Sequence, residues 1–399
     1  MKALYEEIYK QRDYVVGLRR ELHRHPELSL QEFWTAGRIE EELDRWGIPH
    51  ERIGETGVLG RITGEGEGAW ENPCIILRAD IDALPIFETN DVPYRSQIDG
   101  VMHACGHDAH TACLLGAAKL LQEKRDSFGG EIRLCFQQAE EIGAGAMQFI
   151  DAGVMEGAQR VFGLHTAPDI RCGKVGVKKG ANNASVDHFK IQVKGSAAHV
   201  STPQKGVDAL YIASQLVVAL QALVTRRTSP VEPLIIGVGK LTAGTAYNIV
   251  AEDAELEGTV RAISHETRQN AKKWIDAAAE GIAALYGGEV TITWKDFTSP
   301  LINDDGVCEE VGRVVEALWG AESLKTDRKL SLGGDDIAEF ILRVPGAYAF
   351  LGTGSDEWKG SRLTAHNGGF DIDEHALPKG VALYVAYALE YLQGRTARA

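Results

Sequence analysis

The chain has 399 residues, of which 44% are apolar, and carries a formal net charge of −15 from 42 basic and 57 acidic side chains. This length exceeds the size at which a single hydrophobic core stops growing, so we expect two domains, and the composition excludes a disordered protein. The acidic balance argues against nucleic acid and anionic membranes as partners.

The amino-terminal segment, residues 1–20, is charged and has a helical pattern, which differs from that of a secretory signal peptide. This helical region is predicted to end before Pro26, and we assign neither His23 nor His25 to a metal. No apolar run approaches 18 residues, so we expect no membrane span. The six scattered cysteines show no disulfide framework, and this favours the reducing cytoplasm.

Three short apolar runs, residues 74–80, 131–138 and 160–165, are predicted to be strands. A helical pattern with small and apolar residues on one face follows the first run, and Asp108 is its predicted N-cap. Because strands and helices alternate, the sequence predicts an α/β domain with a largely parallel sheet.

Side chains that can bind metals cluster around the predicted strand ends. Asp80 ends the first strand, Glu140 and Glu141 follow the second, and His165 ends the third, while Cys105 and His107 precede the helix. Ligands bind outside the carboxyl ends of strands in such sheets. Cysteine, histidine and carboxylate together form a transition-metal ligand set, and the second glutamate is then spare to act as a base.

Each of these signals has a simpler explanation when it is taken alone. Cys105 and His107 fit a buried cysteine beside a capping histidine, although a helix start and a metal would both favour the thiolate. The glutamate pair fits a solvated helix start, His165 a core histidine and His366 a loop residue. Their coincidence at one edge of one sheet favours a hydrolytic metal site.

After about residue 183 the pattern changes to a β-α-β-β-α-β order, which is that of a ferredoxin-like module. The strands are expected near 186–194, 234–241, 253–263 and 289–297, and the helices near 206–225 and 265–286, the second starting after Ser264. Residues 299–399 resume glycine-rich loops and helices and contain His366. We therefore expect a discontinuous catalytic domain, residues 1–183 and 299–399, with residues 184–298 inserted.

The chain resembles the amidohydrolases of the M20 metallopeptidase clan, in the branch of hippurate hydrolases, aminoacylases and auxin-conjugate hydrolases. The resemblance covers nearly the whole length and rests on Leu22–Leu28, Arg78–Pro85, Met102–Asp108, Gln138–Glu141, Gly163–His165, Gly244–Asn248, Glu257–Arg261, Gly333–Asp335, and His366 before Phe370–Glu374. It implies a zinc-exopeptidase-like α/β/α catalytic domain with an inserted ferredoxin-like α+β domain that dimerises and closes over the site.

The resemblance implies a metal-dependent hydrolase of linear amide bonds that splits N-acyl amino acids into a carboxylic acid and an amino acid. The implied metal ligands are Cys105, His107, Glu141, His165 and His366. Glu140 is the implied general base, which accepts a proton from water. The clan's His-x-Asp motif reads Arg78-Ala-Asp80 here, so its histidine is absent and Asp80 is an orienting carboxylate rather than a ligand.

The inserted domain is implied to complete the site. His199 matches a histidine that reaches across the dimer interface to the oxyanion, and Asn248 and Arg261 match substrate-binding positions. Two divalent ions are implied, with Mn²⁺, Zn²⁺, Ni²⁺ and Co²⁺ as candidates. The expected assembly is a homodimer, with a homotetramer as the open alternative, and the expected partner is a small N-acyl amino acid.

Three other readings are open. A metallo-carboxypeptidase or dipeptidase uses the same machinery on peptides. A thiol hydrolase with Cys105 as nucleophile leaves the extra carboxylates and histidines unexplained. A metal-binding protein without catalysis needs no spare base, so Glu140 argues against it.

Overall fold

The computed structural model describes residues 1–68 and 71–394, and the chain forms two compact units. The larger unit comprises Met1–Gly180, Ile302–Lys329 and Asp335–Ala399. The smaller unit comprises Ala181–Leu301 and, beyond the range expected from the sequence, the short segment Leu330–Gly334.

The helices are α1 (Lys2–Tyr9), α2 (Arg12–Arg24), α3 (Phe33–Arg45), α4 (His107–Glu123), α5 (Ala146–Asp151), α6 (Ala209–Arg226), α7 (His265–Leu285), α8 (Asp305–Trp319), α9 (Ile337–Ile341) and α10 (Leu377–Leu392). The strands are β1 (His50–Ile53), β2 (Gly57–Glu65), β3 (Cys74–Asp80), β4 (Gly129–Gln137), β5 (Arg160–Arg171), β6 (Val175–Gly176), β7 (Gly180–Asn183), β8 (Val186–Lys194), β9 (Leu234–Ala243), β10 (Asp253–Ala262), β11 (Glu289–Thr298), β12 (Leu301–Asn303), β13 (Leu324–Lys325) and β14 (Gly346–Gly354).

The large unit is built on an eight-stranded sheet with the order β1-β2-β4-β3-β5-β14-β6-β13. The four central strands, β4, β3, β5 and β14, are parallel, whereas β1 and β2 pair antiparallel, as do β2 and β4, and β6 and β14. The α/β class is confirmed, but the sheet is mixed rather than largely parallel. Short connections such as the one between β1 and β2 permit only antiparallel pairing, because a parallel pair needs a long crossover.

Two local predictions differ from the structure. β5 continues to Arg171, so His165 lies inside the strand, because pairing with β14 carries on past it. Helix α4 begins at His107 and its N-cap is Gly106, not Asp108. The Asp108 carboxylate instead binds the guanidinium of Arg19 at 2.8 Å, and this buried ion pair outweighs a capping hydrogen bond.

A buried ionic cluster joins three distant parts of the large unit. The Arg19 side chain is 0% exposed and binds Asp108 at 2.8 Å, Asp371 at 2.9 Å and Glu374 at 3.3 Å. His23 Nδ1 lies 2.7 Å from the Asp108 carboxylate. Helix α2 is therefore held both to the start of α4 and to the segment before α10.

The small unit contains a four-stranded antiparallel sheet with the order β11-β8-β10-β9. Helices α6 and α7 contribute their apolar sides to its core, through residues such as Ile212, Leu216 and Ile275. This strand order is that of the ferredoxin-like module expected from the sequence. Helix α7 starts after Ser264, whose hydroxyl accepts a hydrogen bond from the Thr267 backbone N–H.

Within the part of the chain that the structure describes, α6 is long and apolar enough to cross a membrane by length and composition alone, with a mean hydropathy of 1.4. Helix α6 contains no long uninterrupted apolar run, because Ser214, Gln215 and Gln221 lie within it. A third of the helix is buried, and a helix packed on a sheet passes the same test, so the signal is weak.

The Arg19 cluster predicts a strong effect of neutralising Asp108. Asp108→Asn leaves a buried guanidinium short of one counter-charge, and we expect the free energy of unfolding to fall by about 3–5 kcal/mol. Urea denaturation in the presence of a chelator measures the change. The matched control is Glu65→Gln, because the Glu65–Arg125 pair is exposed and should contribute less than about 1 kcal/mol. Similar losses of unfolding free energy in both variants would show that the buried Arg19–Asp108 pair contributes no more to stability than an exposed pair.

Candidate metal centre

A left-handed glycine sets the positions of Cys105 and His107. Gly106 has φ +93°, and a Cβ atom there would lie 2.4 Å from the Thr166 Oγ1 atom. Only glycine combines this dihedral angle with this close approach to β5. The cysteine and the first residue of α4 are thereby placed on either side of the turn, against the strand that carries His165.

The structure brings together the five expected metal ligands and the expected base, Glu140. They fall into three overlapping groups, in each of which one ligand atom per residue lies within 4.8 Å of the others. The groups are Cys105 with His107 and His165, Cys105 with Glu141 and His366, and His107 with Glu140 and Glu141.

Distances between the ligand atoms suit shared ions. Cys105 Sγ lies 3.4 Å from His165 Nε2, and His366 Nε2 lies 3.4 Å from Glu141 Oε2. Glu141 Oε1 lies 3.9 Å from His107 Nε2. Two ligands on one tetrahedral ion with bonds of about 2.0–2.3 Å are about 3.5 Å apart.

Hydrogen bonds fix which ring nitrogen each histidine presents. His107 Nδ1 lies 3.1 Å from Asp82 Oδ1, and His165 Nδ1 donates to the Thr166 carbonyl at 2.7 Å. Both rings therefore keep Nε2 for an ion. His107 Nε2 and Glu141 Oε1 are buried and have no hydrogen-bond partner among the described residues, an unfavourable arrangement that a cation would relieve. The residues present fit a divalent metal.

The Cys105 thiol is not activated by its position before α4. Burial, followed by the Glu141 carboxylate, raises the pKa of Cys105 to about 12. Burial also holds the pKa of His165 well below its ordinary value, so the neighbouring imidazole does not become a cationic partner. The helix start alone therefore does not favour the thiolate, and the arrangement suits a metal ligand better than a free nucleophile.

Two non-glycine residues with positive φ flank the site. His366 has φ +65°, and its backbone N–H donates to the Ala104 carbonyl at 2.8 Å, so the loop is tied to the segment that carries Cys105. Ala139, directly before the glutamate pair, has φ +54°. Strain of this kind persists where surrounding contacts hold it and is common at functional sites.

Three buried carboxylates hold the backbone of residues 139–146, the segment that carries the glutamate pair. Their oxygens accept hydrogen bonds from the Ala139 N–H (Glu32, 2.9 Å), the Glu141 N–H (Asp82, 3.0 Å) and the Ala146 N–H (Asp336, 3.0 Å). Sequence reasoning missed all three. Asp82 and Asp336 lie inside or beside motifs that were singled out, whereas nothing near Glu32 signals its role.

Asp80 lies close to the ligands but does not orient one of them directly. Its carboxylate binds His110 Nδ1 at 2.5 Å, and His110 Nε2 accepts the Thr166 N–H at 2.8 Å, so both nitrogens of His110 are used. The His107 ring is 3.8 Å from Asp80 at Nε2 and is hydrogen-bonded to Asp82 instead. The orienting carboxylate of His107 is therefore Asp82.

Arg78 supplies a fixed positive charge behind the ligands. Its guanidinium is buried and binds Asp80 at 2.6 Å, Asp336 at 2.8 Å and the Gln137 side-chain oxygen at 2.9 Å. An arginine at this position neutralises carboxylates but cannot itself bind a metal ion.

Glu140 lies among acidic neighbours. Its carboxylate is within 4.8 Å of those of Asp335 and Asp336. Burial, followed by the charges of Asp335 and Glu141, raises the pKa of Glu140 well above its usual range. A carboxylate in this environment accepts a proton more readily than an exposed one.

The other three expected site residues belong to the smaller unit. The segment of His199 pairs with that of Asn248, through a Val200 N–H that donates to the Asn248 carbonyl at 3.1 Å. His199 is exposed, and its Nδ1 accepts the Ser201 N–H at 3.1 Å, which leaves Nε2 as the ring nitrogen that can donate. Arg261 on β10 is half-buried, and burial lowers its pKa.

Replacement of Asp82 is predicted to weaken metal binding. Asp82→Asn removes the carboxylate that fixes the His107 ring, and loss of such a partner typically lowers metal affinity about 10–100-fold. Competition with a chromogenic chelator measures the dissociation constant without reference to activity. Asp327→Asn is the control, because Asp327 forms an exposed ion pair with Lys325. Unchanged affinity in Asp82→Asn would remove Asp82 from the metal centre.

Comparisons with known proteins agree with this geometry. The chain is 43% identical over 375 residues to N-acetyl-L-cysteine deacetylase of Bacillus subtilis, which covers 94% of this chain and 86% of that protein. It is 36% identical to thermostable carboxypeptidase 2 of Saccharolobus solfataricus over 98% of both chains. The crystal structure of Bacillus subtilis YXEP protein, described as a dinuclear metal-binding peptidase, superposes with a TM-score of 0.82 at 34% identity, over 96% of this chain and 99% of that one. Residues 76–390 match the model of peptidase family M20/M25/M40, and the chain belongs to this family.

Proposed function

We propose that the protein is a metal-dependent amidohydrolase that cleaves N-acyl amino acids to a carboxylic acid and a free amino acid. The observation that carries this proposal is the group formed by His107, Glu140 and Glu141, in which a spare carboxylate lies beside metal ligands. Membership of a family with a deacetylase of acylated cysteine supports hydrolysis of an amide C–N bond.

We propose Cys105, His107, Glu141, His165 and His366 as the ligands of two divalent ions. The dinuclear relative supports the number of ions, and Mn²⁺, Zn²⁺, Ni²⁺ and Co²⁺ all suit a set of thiolate, imidazole and carboxylate donors. When bound, such ions supply Lewis acidity, which polarises an amide carbonyl and makes water more acidic.

The chain's own side chains then handle the protons and the substrate. Glu140 takes the proton of the attacking water and delivers it to the leaving amine. The Nε2–H of His199 is a suitable donor to the developing oxyanion, and the resemblance assigns this histidine to the second subunit. Asn248 and Arg261 bind the substrate, with the guanidinium of Arg261 on its α-carboxylate.

We propose a homodimer that forms through the smaller unit. The outer side of α6 exposes three apolar side chains, Leu210, Tyr211 and Val218, the last at 68% exposure. Apolar groups clustered on one helix face mark an interaction surface. A measurement of the molar mass in solution distinguishes this dimer from a homotetramer.

We propose the cytoplasm as the compartment. All six cysteines are free thiols, which supports a reducing environment.

Cleavage of peptides is the second candidate, and the carboxypeptidase relative is the observation that favours it. A substrate panel separates the two. We expect hydrolysis of N-acetyl, N-benzoyl or indole-acetyl amino acids to exceed that of dipeptides, to stop on chelation and to return with Mn²⁺ or Zn²⁺. A preference for dipeptides would establish the second candidate. Activity that survives chelation but not alkylation would identify Cys105 as a nucleophile and overturn the metal-dependent mechanism.

The two adjacent glutamates are predicted to fail in different ways. Glu140→Gln removes the base but no ligand, so we expect about two metal ions per chain and a turnover lowered at least about 100-fold. Glu141→Gln is the matched variant and should lose metal, because one of its carboxylate oxygens lies 3.4 Å from His366 Nε2 and the other 3.9 Å from His107 Nε2. Elemental analysis gives the metal content. Loss of metal in Glu140→Gln would mean that the two roles are exchanged.

A further inference from the structure

Arg328 is a half-buried cation in the large unit, on the segment after β13. Its guanidinium carbon lies 3.5 Å from the centroid of the Phe350 ring. Its Nε and Nη1 atoms are buried and have no hydrogen-bond partner among the described residues. By contrast, the buried Arg19 and Arg78 each bind three carboxylates.

The Phe350 ring connects Arg328 to the metal centre. Phe350 is paired in register with His165 on neighbouring parallel strands, and the two rings have centroids 6.4 Å apart. Tyr348, two residues earlier on the same face of β14, lies 6.1 Å from the His165 ring. Arg328, Phe350 and His165 thus follow one another on one side of the sheet, and Arg328 is separated from the His165 ring by the Phe350 ring.

The surroundings of Arg328 suit the binding of an anion. Guanidinium stays charged in proteins, and burial of a charge without a paired counter-ion is unfavourable. The charge of Asp169 acts on Arg328, but the two form no salt bridge, and burial lowers the pKa of the arginine. The contact with the Phe350 ring fixes the orientation of the guanidinium group. A guanidinium group in a fixed orientation can offer two parallel N–H donors to one carboxylate.

We propose that Arg328 binds a carboxylate of the substrate and that the enzyme prefers N-acyl amino acids that carry a second carboxylate in addition to the α-carboxylate. This inference rests on the proposed function and names its substrate class. The second carboxylate belongs either to the amino-acid side chain or to the far end of the acyl group. The chemistry of recognition is the same in both cases.

Two pairs of substrates test the proposal with the Mn²⁺-reconstituted enzyme. N-acetylglutamate is compared with N-acetylglutamine, and N-succinylalanine with its terminal amide. In one pair we expect the wild-type enzyme to favour the acid. Arg328→Met should lower kcat/KM for that acid about 10- to 100-fold more than for its amide, as expected for loss of a charged hydrogen bond. The affected pair shows which part of the substrate carries the carboxylate.

Two further variants complete the test. Arg328→Lys keeps the charge but lacks the planar fork of donors, so its ratio of kcat/KM for acid and amide should lie between those of the wild type and Arg328→Met. If Arg328→Met fails to fold, Arg328→Lys provides the test in its place. Arg227→Met removes a guanidinium that likewise lies over a ring, that of Trp274, and should leave the ratio of acid to amide unchanged. Equal effects of the Arg328 substitutions on acid and amide in both pairs would overturn the proposal.

Failure of the proposed function would be seen separately, as absence of hydrolysis of all four substrates by the wild-type enzyme. Calorimetric titration of the Mn²⁺-loaded protein with glutarate and with butyrate then decides the role of Arg328. We expect Arg328→Met to weaken glutarate binding at least about 10-fold more than butyrate binding. An equal change for the two ligands would exclude a carboxylate site at Arg328.

Discussion

The carboxylate of Asp82 is the contact on which the site depends most. It is 1% exposed, lies just beyond β3, and binds His107 Nδ1, the Glu141 N–H and the Ser29 hydroxyl. Burial alone raises the pKa of Asp82, but hydrogen bonds led by that of His107 bring it below its ordinary value. One ionised group therefore holds the start of α4 and the glutamate segment in register.

Buried charge organises the surroundings of the site in the same way. Arg78 donates hydrogen bonds to Asp80 and Asp336, which lie next to the proposed metal ligands. Asp336 in turn accepts the Ala146 N–H at the start of α5. The strained backbone at Ala139 is secured by Glu32. Removal of one member leaves the others buried and unpaired, which is costly, so these groups act together rather than singly.

The parts of the molecule that could be predicted are those with a local or periodic signal. β3 occupies residues 74–80 as expected, and the strand and helix order of the smaller unit gives its sheet order. In the candidate metal centre, Glu140 and Glu141 follow the end of β4, which pairs in parallel with β3, and this is the position that strand order predicts for a site.

What could not be predicted depends on partners far away in the chain. Asp108 reads locally as a helix cap, yet Arg19, 89 residues earlier, takes its carboxylate. Glu32 accepts a hydrogen bond from a backbone N–H that lies 107 residues later in the chain, and neither composition nor residue spacing predicts this contact. The state of the Cys105 thiol also depends on burial, which no helix pattern reveals.

Arg78 also bears on how such a site changes during evolution. Replacement of this arginine by a shorter neutral side chain would take shared donors from Asp80, Asp336 and Gln137 at once. Several further substitutions would have to accompany it before the protein regained a stable interior. The arginine is therefore entrenched, because three buried side chains depend on it together.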